Sequence, residues 1–96
     1  MSVYELILLL GEKSNQKEKA LGVISEVLKE GSGKVVSERS LGLRDLAYPI
    51  DKQVKGEYYL IEMEAQAQTI KPLNQKLRLS GSVLRYLIVK RGERES

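Results

Sequence analysis

Two hydrophobic periods take turns along this chain. Val3–Leu10 (VYELILLL) is almost continuously apolar. It is too short and too uniform for a surface helix, and it fits a strand covered on both faces or lying in the middle of a sheet. The period then changes. Ser14 or Asn15 can cap a helix start, and Ala20, Ile24, Val27 and Leu28 recur at helical spacing, with Lys17, Glu18, Lys19, Glu26, Lys29 and Glu30 mainly on the other side. Gly31-Ser32-Gly33 is expected to end this helix, with Gly taking the left-handed terminating conformation that costs it no Cβ clash. Lys34–Ile50 reads as one long extended segment and Asp51–Lys55 as a polar turn. Gly56–Ala65 alternates, with Tyr59, Ile61 and Met63 on one face and Tyr58, Leu60, Glu62 and Glu64 on the other. Thr69 is expected to cap a second helix, with Pro72 inside its first turn and Ile70, Leu73 and Leu77 as its buried stripe. Ser80-Gly81-Ser82 breaks that helix, and Val83–Val89 forms the last strand.

The order strand, helix, strand, strand, helix, strand is that of two split β-α-β units. Together they build an α+β ferredoxin-like sandwich, a four-stranded antiparallel sheet with both helices on one face. In that topology the first and third strands are central and the second and fourth are edges. An edge position explains residues 41–50 (LGLRDLAYPI), whose Gly42, Arg44-Asp45 pair and Pro49 suit no central strand. At an edge Gly42 can form a bulge, and Pro49 lacks no ladder partner. An unpaired edge is either protected or used. Bulge, charge pair and proline could serve as plain protection against aggregation; the functional alternative, favoured here, is a docking edge for a partner chain.

Composition narrows the function. Ninety-six residues make one domain, expected over residues 1–91 with 92–96 as a short tail, and 42% hydrophobic with 30% charged residues is ordinary for a folded globule. With no Cys there is no disulfide framework, thiol nucleophile or thiolate metal site; with no His, the commonest metal ligand and the usual general base are missing too. No apolar run approaches the length of a membrane span, and the chain enters a strand-like run at once without a cleavable leader, so a cytoplasmic setting is expected.

Charge is distributed unevenly. Residues 1–64 carry a balance of −2, whereas residues 65–92 hold Lys71, Lys76, Arg78, Arg85, Lys90 and Arg91 and no acid, within an overall net charge of +3. Such a block points to a surface held positive towards a polyanion, with a solvated basic face as the plainer reading. Two phosphate- or RNA-like motifs fail on inspection. The GSGK at 31–34 has Leu28 where a phosphate loop needs its first Gly and Val35 where it needs Ser or Thr, and it leaves a helix instead of entering one. Lys55-Gly56-Glu57-Tyr58-Tyr59-Leu60 begins like the RNA-recognition-motif octapeptide, but Glu57 and Glu62 stand where aromatics belong. Tyr58 and Tyr59 are therefore expected to be packing residues.

The LGLRDLAYPI stretch, the short basic loop after it and the GEYYL run resemble the bacterial-type small-subunit ribosomal protein six family. So do the Tyr4-Glu5 opening, Leu77-Arg78 closing the second helix, and VLRYLIVKR near the end. The resemblance runs from about Val3 to Arg91. It implies the same ferredoxin-like fold and an architectural role without catalysis or cofactor: binding the central domain of small-subunit ribosomal RNA beside ribosomal protein eighteen, the heterodimer partner. The family usually carries consecutive basic residues before the LAYPI core and Arg at position 2; here Asp45 and Ser2 stand instead, and both remove positive charge.

Phosphates are best met by Arg and Lys, which displace condensed counterions. The RNA-binding candidates are Arg44, Lys52, Lys55, Arg85, Lys90 and Arg91. Arg85 interrupts VLRYLIV and is expected on the open side of the sheet, facing RNA or pairing with Glu62 or Glu64. Leu41, Leu43, Leu46 and Tyr48 are the candidates for the partner-protein surface, since an exposed edge can accept another chain. A small enzyme or ligand-binding domain on the same fold is the competing class. The missing His and Cys and the scattered carboxylates speak against it, and no metal, membrane or small-molecule partner is expected. A homodimeric interaction module is the remaining alternative.

Overall fold

The computed structural model of the chain describes residues 1–11, 16–50, 53–81 and 83–93. Six elements follow in the expected order: β1 (Ser2–Gly11), α1 (Gln16–Glu30), β2 (Lys34–Ile50), β3 (Gln53–Ala65), α2 (Ala67–Leu79) and β4 (Val83–Glu93). They form a single sheet of order β2-β3-β1-β4 in which every neighbouring pair is antiparallel, with both helices on one face. This is the ferredoxin-like arrangement. β1 and β3 are central and β2 and β4 are edges.

Position in the sheet explains the apolar density of β1, which has a strand on either side and helices over one face. Leu6, Leu8 and Leu10 point to the helices and are buried against Ile24 and Leu28 of α1, Leu73 and Leu77 of α2, and Ile61 and Met63 of β3. Burying each such side chain contributes about 1.5–3 kcal/mol. Leu9 is buried as well, although it belongs to the opposite face, and Gly56 beside it explains how. A Cβ on Gly56 would stand 2.5 Å from Leu9 Cδ1, so the glycine gives the leucine room to lie flat on the sheet.

Three local expectations change. First, the left-handed residue that ends α1 is Ser32, at φ 63°, and not either glycine. Gly33 N–H donates to Leu28 O at 2.7 Å and Ser32 N–H to Lys29 O at 3.1 Å, the paired bonds of a Schellman motif with Ser32 at its left-handed position. The glycines serve close approach: a Cβ on Gly33 would meet Glu64 O at 2.5 Å, and one on Gly31 would overlap Thr69 Oγ1. Second, Thr69 is not a cap. α2 begins three residues earlier, with Gln66 at its N-cap, and Thr69 is buried against α1, so Pro72 falls in the second turn. The N–H it lacks is the one that would have bonded Gln68 O, on an exposed part of the helix. Third, residues 53–55 of the expected polar turn belong to β3, which starts at Gln53, and β4 runs on to Glu93. The proposed caps Ser14 and Asn15 lie outside the described residues.

β2 and β3 make a hairpin that outruns the rest of the sheet. β1 ends at Gly11 opposite Gly56, whereas β2 continues to Asp45 opposite Lys55 and to Ile50 opposite Gln53. This overhang accounts for an elongated molecule of 42 × 21 × 18 Å. The expected irregularity at Gly42 is present: the register slips between Ser40 and Gly42, and Gly42 has φ 102°. Nothing stands near the place a Cβ would occupy there, so the backbone angle and not lack of space calls for glycine.

Candidate nucleic-acid interface

The face away from the helices is uncovered, and strand register arranges it in rows. One row runs Ser37, Glu62, Glu5, Val89; the next Arg39, Leu60, Ile7, Leu87; the third Gly42, Tyr58, Leu9, Arg85; and a fourth begins Arg44, Gly56, Gly11. The face is thus acidic at one end, apolar in the middle and basic with one aromatic ring at the other. At the acidic end Arg91 Nε lies 3.1 Å from Glu5 Oε1, so part of that negative charge is answered from β4.

The two neighbouring tyrosines of β3 part company across the sheet. Tyr59 faces the helices and is buried, with Lys17 Nζ 5.2 Å from its ring centre. Burial first, and then the hydrogen bond to Glu57 and the charges of Glu57 and Glu38, push its hydroxyl up to about 12. Glu57 is held in place in turn by the Ser40 hydroxyl at 2.7 Å. Tyr58 is half-buried on the open face beside Leu9. The expectation that both are packing residues therefore holds for Tyr59 and only in part for Tyr58.

The RNA-binding candidates fall into groups. Arg44 and Lys55 are exposed at the hairpin end of the sheet, where Lys55 stands opposite Asp45 and Arg44 Nη2 donates to Leu41 O at 3.2 Å. Arg85 lies at the same end of the open face but on the far edge, three strand spacings or roughly 14 Å across. Arg85 is on the open side, as expected. Lys90 and Arg91 are at the opposite end of β4, Lys90 opposite Tyr4 and Arg91 at the register irregularity next to it. Lys52 lies outside the described residues. Arg39 was missed: it is exposed on the open face opposite Leu60, between Arg44 and the acidic end. Strand alternation alone could not find it, because register slips on both sides of it, between Val35 and Ser37 and between Ser40 and Gly42, reset which residues face out.

Among the partner-surface candidates, Leu41 is 37% and Leu43 54% exposed; Val54, further along the hairpin on β3, is 59% exposed. Leu43 belongs by register to the helix side, opposite Glu57, but it stands close to where the sheet narrows to the two-stranded hairpin. Leu46 is half-buried, and the side chain of Tyr48 lies outside the described residues. Among the described residues no group of His, Cys, Asp or Glu could hold a metal ion, and no helix is long and apolar enough to cross a membrane.

The family model described as ribosomal protein S6 matches residues 3–90, nearly the whole folded part of the chain. The chain belongs to the ribosomal protein S6 family. It is similar to the small ribosomal subunit protein bS6 of Nitratidesulfovibrio vulgaris (strain DSM 19637 / Miyazaki F), 30% identical over 92 residues that cover 94% of this chain and 91% of the relative. The bS6 protein of Zymomonas mobilis subsp. mobilis is 34% identical, with 94% of this chain and 74% of the relative covered. Among solved structures, the S6 protein of Thermotoga maritima superposes with a TM-score of 0.79 over 94% of this chain and 87% of that one, at 22% identity, which supports the fold. The S6 match spans both the open face and the β2–β3 hairpin.

Proposed function

We propose that this chain is an architectural protein of the small ribosomal subunit, docked on the central domain of its RNA beside ribosomal protein eighteen. As an S6-family member it is a structural, non-catalytic protein that binds small-subunit ribosomal RNA, and its place is on the ribosome. Arg44, Lys55 and Arg85, with Arg39, supply the phosphate-binding charge at one end of the molecule; Lys90 and Arg91 supply it at the other. The protruding β2–β3 hairpin is the partner-protein surface, and the observation that carries this is apolar exposure on an unpaired edge at Leu41 and Leu43. An edge strand offers main-chain hydrogen bonds, and side chains on either side of the Gly42 bulge give the docking its specificity.

The test is assembly on a central-domain RNA fragment with and without ribosomal protein eighteen, at several salt concentrations. Binding is expected to need both proteins and to weaken steeply with salt. Arg44→Ala or Lys55→Ala should weaken binding uniformly and lower the salt slope by about one each. Leu43→Asp should reduce heterodimer formation about tenfold or more. Its own stability should change by no more than about 0.5 kcal/mol, because the side chain is already exposed. Equal losses in stability and association, or no loss of association, would overturn the docking assignment.

A further inference from the structure

The basic end of the open face contains a shallow hollow of 230 Å³ lined by Ile7, Leu9, Tyr58, Arg85, Tyr86 and Leu87. Its floor is apolar, and Leu9 is held flat there by the space above Gly56. Tyr58 stands on the β3 side and Arg85 on the β4 side of Leu9, in one row. Tyr86 is tied to α2, its hydroxyl donating to Asn74 Oδ1 at 2.8 Å, so of the two tyrosines Tyr58 is positioned to meet a ligand from the open side. The hollow is smaller than the roughly 300–1,000 Å³ of metabolite pockets, and suits one flat ring system.

We infer that this hollow takes a single unstacked RNA base, laid against Tyr58 and Leu9, with Arg85 at its edge serving the attached phosphate or the base face. This rests on the RNA-binding reading above and deepens it. Aromatic rings and guanidinium planes are what proteins use to hold splayed bases, and such stacking tolerates any base. Charge complementarity selects RNA as the occupant, because Arg39, Arg44 and Arg85 surround this end of the face. Glu5 and Glu62 oppose a nucleic-acid backbone laid along the whole sheet. They sit two rows off, however, about 13 Å away along the strands, beyond Leu60, Ile7 and Leu87, and Glu5 is already paired with Arg91. The acidic end therefore restricts the face to one base without closing the hollow.

The test compares wild type, Tyr58→Ala and Tyr58→Phe for affinity to small-subunit ribosomal RNA at two salt concentrations, together with zero-length ultraviolet crosslinking of the wild-type complex. Tyr58→Ala is expected to lose about 5- to 150-fold in affinity with an unchanged salt slope. Tyr58→Phe should stay within about twofold of wild type, and the crosslinked peptide should contain Tyr58. Full affinity of Tyr58→Ala together with a crosslink elsewhere would overturn the base site while leaving ribosomal RNA binding intact. So would a Tyr58→Ala defect confined to association with a protein partner. If wild type bound no ribosomal RNA at all, both readings would fall. Should Tyr58→Ala unfold, the crosslink on the wild-type protein still decides.

Discussion

Ser32 does at the end of α1 what glycine does at most helix ends. A left-handed serine carries a backbone penalty of about 1 kcal/mol that glycine escapes, partly offset because glycine gains more freedom on unfolding. Ser32→Gly should therefore stabilise the protein by about 0.5–1 kcal/mol in chemical denaturation. The glycines on either side behave oppositely. Gly33→Ala places a methyl against the backbone carbonyl of Glu64, which cannot step aside, and should cost about 2–3 kcal/mol. Gly31→Ala meets the Thr69 side chain, which can turn, and should cost less. If Ser32→Gly destabilised and Gly33→Ala did not, the Schellman assignment would be wrong. Tyr59 adds a pH signature. Its folded hydroxyl titrates at about 12 against an ordinary 10.0, so above pH 10 the unfolded chain sheds this proton first. Stability from this group is complete below pH 10 and lost progressively between pH 10 and 12. Tyr59→Phe should lose less stability over that interval than wild type.

Elements were more legible than the residues that terminate them. The switch from an apolar run to helical spacing and then to alternation fixed the order β-α-β-β-α-β, and the Gly, charge pair and Pro of residues 41–50 marked β2 as an edge before its neighbours were known. The start of α2 was misplaced because Thr69 has good cap chemistry; burial against Gly31, a contact between helices, decided its role instead. The open-face pattern was partly hidden for the same kind of reason. Alternation correctly separated Tyr58 from Tyr59 on regular β3, but it failed along β2, where two slips changed the parity and concealed Arg39. Long-range packing and bulges leave little trace in local periodicity. Filling in the bulge should show its purpose: Gly42→Ala forces a non-glycine side chain to φ 102° and should destabilise the hairpin by about 1–2 kcal/mol. It should also weaken partner association beyond that cost, measurable by titration calorimetry; a purely stability-linked effect would speak for edge protection alone.

Across the whole molecule, charge, shape and surface polarity divide the work. The basic block of residues 65–92 does not form one patch: Lys71, Lys76 and Arg78 are exposed on α2, while Arg85, Lys90 and Arg91 are spread along β4. Positive charge therefore reaches several sides of an elongated body, which suits a protein wedged among RNA segments better than one closing over a single ligand. The hairpin supplies the exposed apolar edge that such a body would turn towards a protein neighbour. The most direct measurement is sedimentation of this chain with small-subunit particles that lack their own copy of the S6 protein, over a series of salt concentrations. The account predicts one copy bound per particle at low salt, released as salt rises. A chain that stayed at the top of the gradient even at low salt, with the particles intact and carrying ribosomal protein eighteen, would contradict it.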